Sequence, residues 1–72
     1  MEIRAEMVAQ VHSVIAEPGT KVAVGDTLVI LESMKMEIPV LTEISGVVAE
    51  IAVAPGDVIH EGDLIAVIDH RS

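Results

Sequence analysis

The chain has 72 residues, 12 acidic side chains against four basic ones, a formal charge of −8, no cysteine and no aromatic residue. This excludes disulfides and thiolate metal sites, leaves no ring on which a nucleobase could stack, and sets the net charge against phosphate backbones and anionic membranes. With 51% apolar residues, a single thin core of Val, Ile, Leu, Ala and Met is expected, in one domain over residues 1–72.

Residues 2–7 alternate polar and apolar (Glu, Ile, Arg, Ala, Glu, Met), and period two predicts a half-buried strand. Residues 11–16, rich in Val and Ile, predict a second. Pro18-Gly19 and Gly25-Asp26 are turn signals, and residues 27–31 form an apolar, β-prone run leaving the second turn. Residues 36–41 mirror that run beyond Lys35. Pro39 lies inside them and cannot donate to a ladder, so this strand is expected at an edge or kinked. Residues 47–53 and 64–68 continue the scheme around the turn pairs Pro55-Gly56 and Gly62-Asp63. No run of about ten residues carries helical periodicity, and none reaches the ~18 apolar residues of a membrane span. Met1 and the Arg71-Ser72 pair are expected to fray.

The chain repeats itself at an offset of 37. Pro18-Gly19 recurs as Pro55-Gly56 and Gly25-Asp26 as Gly62-Asp63. Val11 aligns with Val48, Val14 with Ile51, Val22 with Ile59, Leu28 with Ile65, and Ile30-Leu31 with Val67-Ile68. A unit of this size cannot bury its own apolar face, whereas two copies bury each other. Short, closely spaced strands in twofold repetition predict an all-β fold, a sandwich or flattened barrel.

The midpoint of the repeat falls near Lys35, in Glu32-Ser33-Met34-Lys35-Met36-Glu37. Strand-prone residues on both sides predict a hairpin with Met34-Lys35 at its tip. Two-residue hairpin turns need positive φ and favour Asn-Gly or Asp-Gly; Met and Lys are sterically poor there. Poor turn residues at a protruding tip imply a reason other than folding. An amine held clear of its neighbours suits covalent attachment by a large partner, and a solvated surface lysine is the plain alternative. Met34 and Met36 serve either the core or an adaptable exposed contact surface. Catalysis by the domain itself is not expected. His12, His60 and His70 are dispersed without metal-ligand spacing, and Asp26, Asp57, Asp63 and Glu61 read as turn residues.

The hexapeptide around Lys35 resembles the attachment motif of the biotinyl/lipoyl domain family, in which Met-Lys-Met marks biotin carriers. The turn pairs, the twofold repeat and the midpoint lysine extend the resemblance over essentially the whole chain. It implies a flattened barrel or sandwich of two four-stranded antiparallel sheets, with the modified lysine at a hairpin tip opposite the chain ends. It also implies biotin bound as an amide to Lys35, with Glu32, Ser33, Met34, Met36 and Glu37 as recognition residues. Ser33 departs from the Ala usual in biotin carriers. Glu32 is also typical of lipoyl domains, but those usually carry Asp where Met34 stands and Ala where Met36 stands. Residues 17–21 form too short a turn for the protruding segment of the bacterial acetyl-CoA carboxylase carrier. The function implied is that of a biotin carboxyl carrier, not itself an enzyme. It would be modified by a biotin protein ligase and visit biotin carboxylase and carboxyltransferase subunits. A lipoyl carrier and an unmodified small β-barrel binding module are the alternatives. The opening residues lack a basic start and an apolar leader core, so a cytoplasmic monomer is expected.

Overall fold

The offset of 37 read from the sequence is reproduced in the backbone. The structure, a computed structural model, describes residues 1–70; the Arg71-Ser72 pair expected to fray lies outside the described residues. Eight strands follow in order: β1 (Glu2–Arg4), β2 (Ala9–Val14), β3 (Lys21–Val22), β4 (Thr27–Ser33), β5 (Met36–Leu41), β6 (Gly46–Ile51), β7 (Val58–Ile59) and β8 (Leu64–Asp69). They form two four-stranded sheets, β1-β8-β6-β3 and β5-β4-β2-β7, with every pairing antiparallel. Shifting each strand of the first half by one repeat turns the second order into the first.

Each half is braced by the other. Gly19 N–H donates to the Val48 carbonyl and Gly56 N–H to the Val11 carbonyl, both at 2.8 Å. Gly25 N–H donates to the Thr42 carbonyl at 3.0 Å and Gly62 N–H to the Ala5 carbonyl at 2.8 Å. Both members of each pair carry equivalent sequence positions, so neither half completes its turns alone. The aspartates act as turn residues: the Asp26, Asp57 and Asp63 carboxylates accept the N–H of Ala23, Ala54 and His60 at 2.8–2.9 Å. Gly19 has φ 91° and open space where a Cβ would point. Gly19→Val is therefore expected to lose about 1–3 kcal/mol from backbone strain alone, read as a lower urea midpoint. A midpoint equal to wild type would count against the turn assignment.

The core lies between the sheets and is itself repeated: Leu28 with Ile65, Val29 with Ala66, Leu31 with Ile68 and Val11 with Val48 are all buried. Thr42, a buried polar residue, stands where the first half has Ala5. Its hydroxyl donates to the Ile44 carbonyl at 2.7 Å and accepts from the Ile44 N–H at 3.2 Å, so its burial leaves nothing unsatisfied.

Several expectations need correction. The strand expected over residues 11–16 runs instead over Ala9–Val14, and beyond it the N–H groups of Ile15 and Ala16 both donate to the Leu28 carbonyl. The fold is an open sandwich, not a barrel: among the described residues no ladder joins the two sheets. The edges β1 and β5 instead flank a groove of about 440 Å³ lined by Ile3, Arg4, Ile38, Pro39 and Val40. β1 is three residues long, and Pro39 on edge strand β5 has no N–H to offer an outer neighbour. The strand expected over residues 2–7 ends at Arg4, because Ala5 leaves the ladder to exchange hydrogen bonds with Gly62 and Asp63. Met7 is consequently exposed rather than inward-facing. The strand expected over residues 47–53 ends at Ile51, after which Ala52 N–H donates to the Ile65 carbonyl. Finally, β3 and β7 were visible only as the Val22–Ile59 match, since two residues are too few to show a period.

Candidate functional site: the β4–β5 hairpin tip

The pair Ser33↔Met36 closes a two-residue loop, Met34-Lys35, at the end of the β4–β5 ladder. Met34 has φ 53° and Lys35 φ 65°, and they are the only non-glycine residues with positive φ among those described. Positive φ at both central residues is the primed hairpin turn that matches the right-handed strand twist. Left-handed backbone at residues bearing a Cβ costs on the order of 1–3 kcal/mol each. The ladder behind the tip holds it, through Glu32↔Glu37, Leu31↔Ile38, Ile30↔Pro39 and the pairs beyond. The backbone at the tip is thereby set, while the side chains are left in solvent. Met34 is 92% exposed and Met36 64%. Lys35 is exposed, and among the described residues its amine takes part in no ion pair or side-chain hydrogen bond.

All six residues singled out from the motif come together at this end. Glu32 and Glu37 face each other across the strands, a like-charge pairing that weakens a sheet. Ser33 is half-buried, and Met36 opposes it. A neighbour the motif did not reveal is His12, whose Nε2 lies 3.9 Å from Glu37 Oε2. His12 is the extra residue of a bulge in β2, where Val11 pairs with Leu31 but Ser13 pairs with Ile30. The second half has the same bulge at Ala49, between Val48↔Ile68 and Glu50↔Val67. The bulge thus belongs to the framework, and the imidazole beside the tip belongs to the first half alone. The sequence motif could not reveal this neighbour, because the bulge that places it is a feature of strand register.

The other histidines lie elsewhere. His60 Nδ1 is 3.8 Å from Asp63 Oδ2 in its own turn. His70 Nδ1 lies 2.9 Å from the Ser45 carbonyl oxygen. Ser45 also accepts the Val24 N–H at 3.2 Å on its hydroxyl, so β8 finishes beside the Gly25-Asp26 turn, at the far end of β4 and β5 from Lys35. Among the described residues no three His, Cys, Asp or Glu are grouped to hold a metal, and no helix is long and apolar enough to cross a membrane. What the tip offers chemically is one primary amine on a rigid turn, between two exposed thioethers.

Residues 1–68 match the biotin/lipoyl family described as biotin-requiring enzyme. The chain belongs to this biotin/lipoyl attachment family. It is 55% identical over 67 residues to the biotinylated protein TB7.3 homolog of Mycobacterium leprae, an alignment covering 93% of this chain and 94% of that protein. The urea carboxylase of Kluyveromyces lactis contains a similar fold, with TM-score 0.90 and 35% identity over 96% of this chain and 6% of that one. The lipoyl domain of the 2-oxoglutarate dehydrogenase complex from Azotobacter vinelandii superposes over 100% of this chain and 99% of its own, with TM-score 0.84 and 27% identity.

Met34→Ala and Met36→Ala are each expected to slow modification of Lys35 while leaving circular dichroism and the unfolding midpoint within about 0.5 kcal/mol of wild type, since both side chains lie outside the core. A variant that unfolds before modification declines would contradict this.

Proposed function

We propose that residues 1–72 form one biotinyl domain and act as a biotin carboxyl carrier, with biotin amide-linked to Lys35. The observation that carries this reading is the exposed primary amine on the left-handed Met34-Lys35 turn, which makes no ion pair among the described residues, in a chain 55% identical to a protein named for its biotinylation. The domain is a carrier and catalyses nothing itself. In attachment, the neutral Lys35 amine attacks the acyl carbon of biotinyl adenylate held by a biotin protein ligase. A C–N bond forms, the C–O bond to phosphate breaks, AMP leaves, and the amine proton passes to the ligase. Glu32, Ser33, Met34, Met36 and Glu37 are the recognition surface, since all flank the amine within the same hairpin.

Once attached, biotin supplies a ureido nitrogen that takes up a carboxyl group at a biotin carboxylase and gives it up at a carboxyltransferase. The protein's own contribution is to hold the root of that arm still. The tip backbone is pinned by the β4–β5 ladder, and the lysine stem is unencumbered. Carboxylase subunits of these two kinds are proposed as partners, which is supported by the similarity to a segment of urea carboxylase. The net charge of −8 disfavours self-association and supports a monomer.

Co-expression with a biotin protein ligase, followed by intact-mass measurement and peptide mapping, tests this. One biotinyl increment on the peptide containing Lys35 is expected. A lipoyl increment in cells holding both ligases, or an unmodified chain beside an active ligase, would overturn it.

A further inference from the structure

The two most exposed methionines of the chain are the two beside the attachment lysine. Met34 and Met36 are 92% and 64% exposed, against 47% for Met1 and 39% for Met7. The chain has no cysteine, tryptophan or tyrosine, so thioethers are its principal oxidisable groups. Susceptibility to oxidation follows access, and conversion of a thioether to the sulfoxide replaces a flexible apolar side chain with a polar, chiral one. Such a change is harmless to this fold, because neither side chain is part of the core cluster. It falls, however, on the surface through which any enzyme must approach Lys35.

We propose that Met34 and Met36 are a reversible oxidation site that gates acylation of Lys35, with hydrogen peroxide as the oxidant. A lone pair on Sδ attacks one peroxide oxygen and the O–O bond breaks. The sulfur gains the oxygen and is oxidised by two electrons, and the second oxygen leaves as water after taking up the proton. Met34 reacts first and Met36 second. The sulfoxides remove the adaptable apolar contact on both sides of the amine, and the ligase docks less well on a tip whose backbone has not moved. A methionine sulfoxide reductase restores the starting surface: two thiols give up two electrons and become a disulfide, and the sulfoxide oxygen leaves as water. The gating effect rests on the carrier reading above; the order of oxidation does not.

The experiment treats the unmodified protein with a graded dose of hydrogen peroxide and maps single-oxygen increments by peptide mass. Ligation by a biotin protein ligase is then measured on each fraction. Oxidation at Met34 and Met36 before Met1 and Met7 is expected, with an about tenfold fall in kcat/KM for ligation, unchanged circular dichroism, and recovery after reductase treatment. A Met34→Leu/Met36→Leu variant has no thioether at the tip, so the ratio of its ligation rate after peroxide to that before is expected to be about one, whatever its basal rate. Oxidation spread evenly over the four methionines would overturn the proposal. So would undiminished ligation of the doubly oxidised protein, or a failure of the reductase to restore it. An equal peroxide sensitivity of the leucine variant would place the damage elsewhere and also overturn it. If the unoxidised protein is not ligated at all, the carrier reading fails and the gate with it; insensitivity to oxidation defeats the gate alone.

Discussion

A Lys35→Arg protein is expected to unfold at the wild-type urea concentration and to carry no biotin at all, so that streptavidin binding falls to background. Arginine keeps the length and positive charge of the tip and adopts the same left-handed backbone at the same steric cost. Its guanidinium stays protonated and does not offer the neutral nitrogen that amide formation requires. Recognition and reactivity are thus separated in one substitution. Retained streptavidin binding would move the attachment to another amine, of which Lys21 in the short strand β3, paired with Val47, is the remaining lysine. A companion measurement tests why such residues occupy the turn. The double substitution Met34→Asn/Lys35→Gly installs the residues a primed turn favours. It is expected to raise stability by about 1–3 kcal/mol as backbone strain is relieved. For a domain of this size each kcal/mol shifts Tm by about 4–8 °C. A double variant less stable than wild type would show that the tip is not strained.

The second large effect is expected at Gly46. A Cβ there would collide with the Asp69 carbonyl oxygen and lie 3.2 Å from His70 Cα. These are backbone atoms and have no rotamer by which to move away. Gly46→Val therefore forces β6 and β8 apart, and these are the two central strands of their sheet. A loss of about 3 kcal/mol or more is expected, out of a total stability of roughly 4–11 kcal/mol for 72 residues at 0.05–0.15 kcal/mol per residue. Thermal unfolding should begin tens of degrees lower, by the same scale of about 4–8 °C per kcal/mol. The equivalent position in the other half is Ala9, buried and tolerated, so Ala9→Gly is expected to cost only about 1–2 kcal/mol, from backbone entropy and one buried methyl. A Gly46→Val protein as stable as wild type would refute the close approach.

The features of this protein that could be read directly from the chain are those carried by local backbone chemistry. Pro-Gly and Gly-Asp pairs need particular dihedrals, and they turn where they stand, with Gly19 and Gly56 at φ 91° and 95°. The span 36–41 coincides with β5, with Pro39 on an edge as its missing N–H requires. The tip at Met34-Lys35 follows from its place between two strand runs at the centre of a repeat. The core was legible as repeated apolar positions because period two puts alternate residues on one face.

What the chain could not disclose depends on which strand lies beside which. Ala5 would have continued β1 had Gly62 and Asp63 not claimed its hydrogen bonds. His12 reaches Glu37 only because a bulge in β2 re-aims it across β4. The need for glycine at position 46 arises from a carbonyl 23 residues away in sequence, at Asp69. Whether the sheets close or stay open was decided at the groove between β1 and β5. Side-chain period and turn dihedrals are properties of a few neighbouring residues, so the sequence alone determined the turns, the exposed lysine and the approximate course of the longer strands. Register, bulge orientation and sheet closure are contacts between distant segments, so they existed only once the two halves had packed.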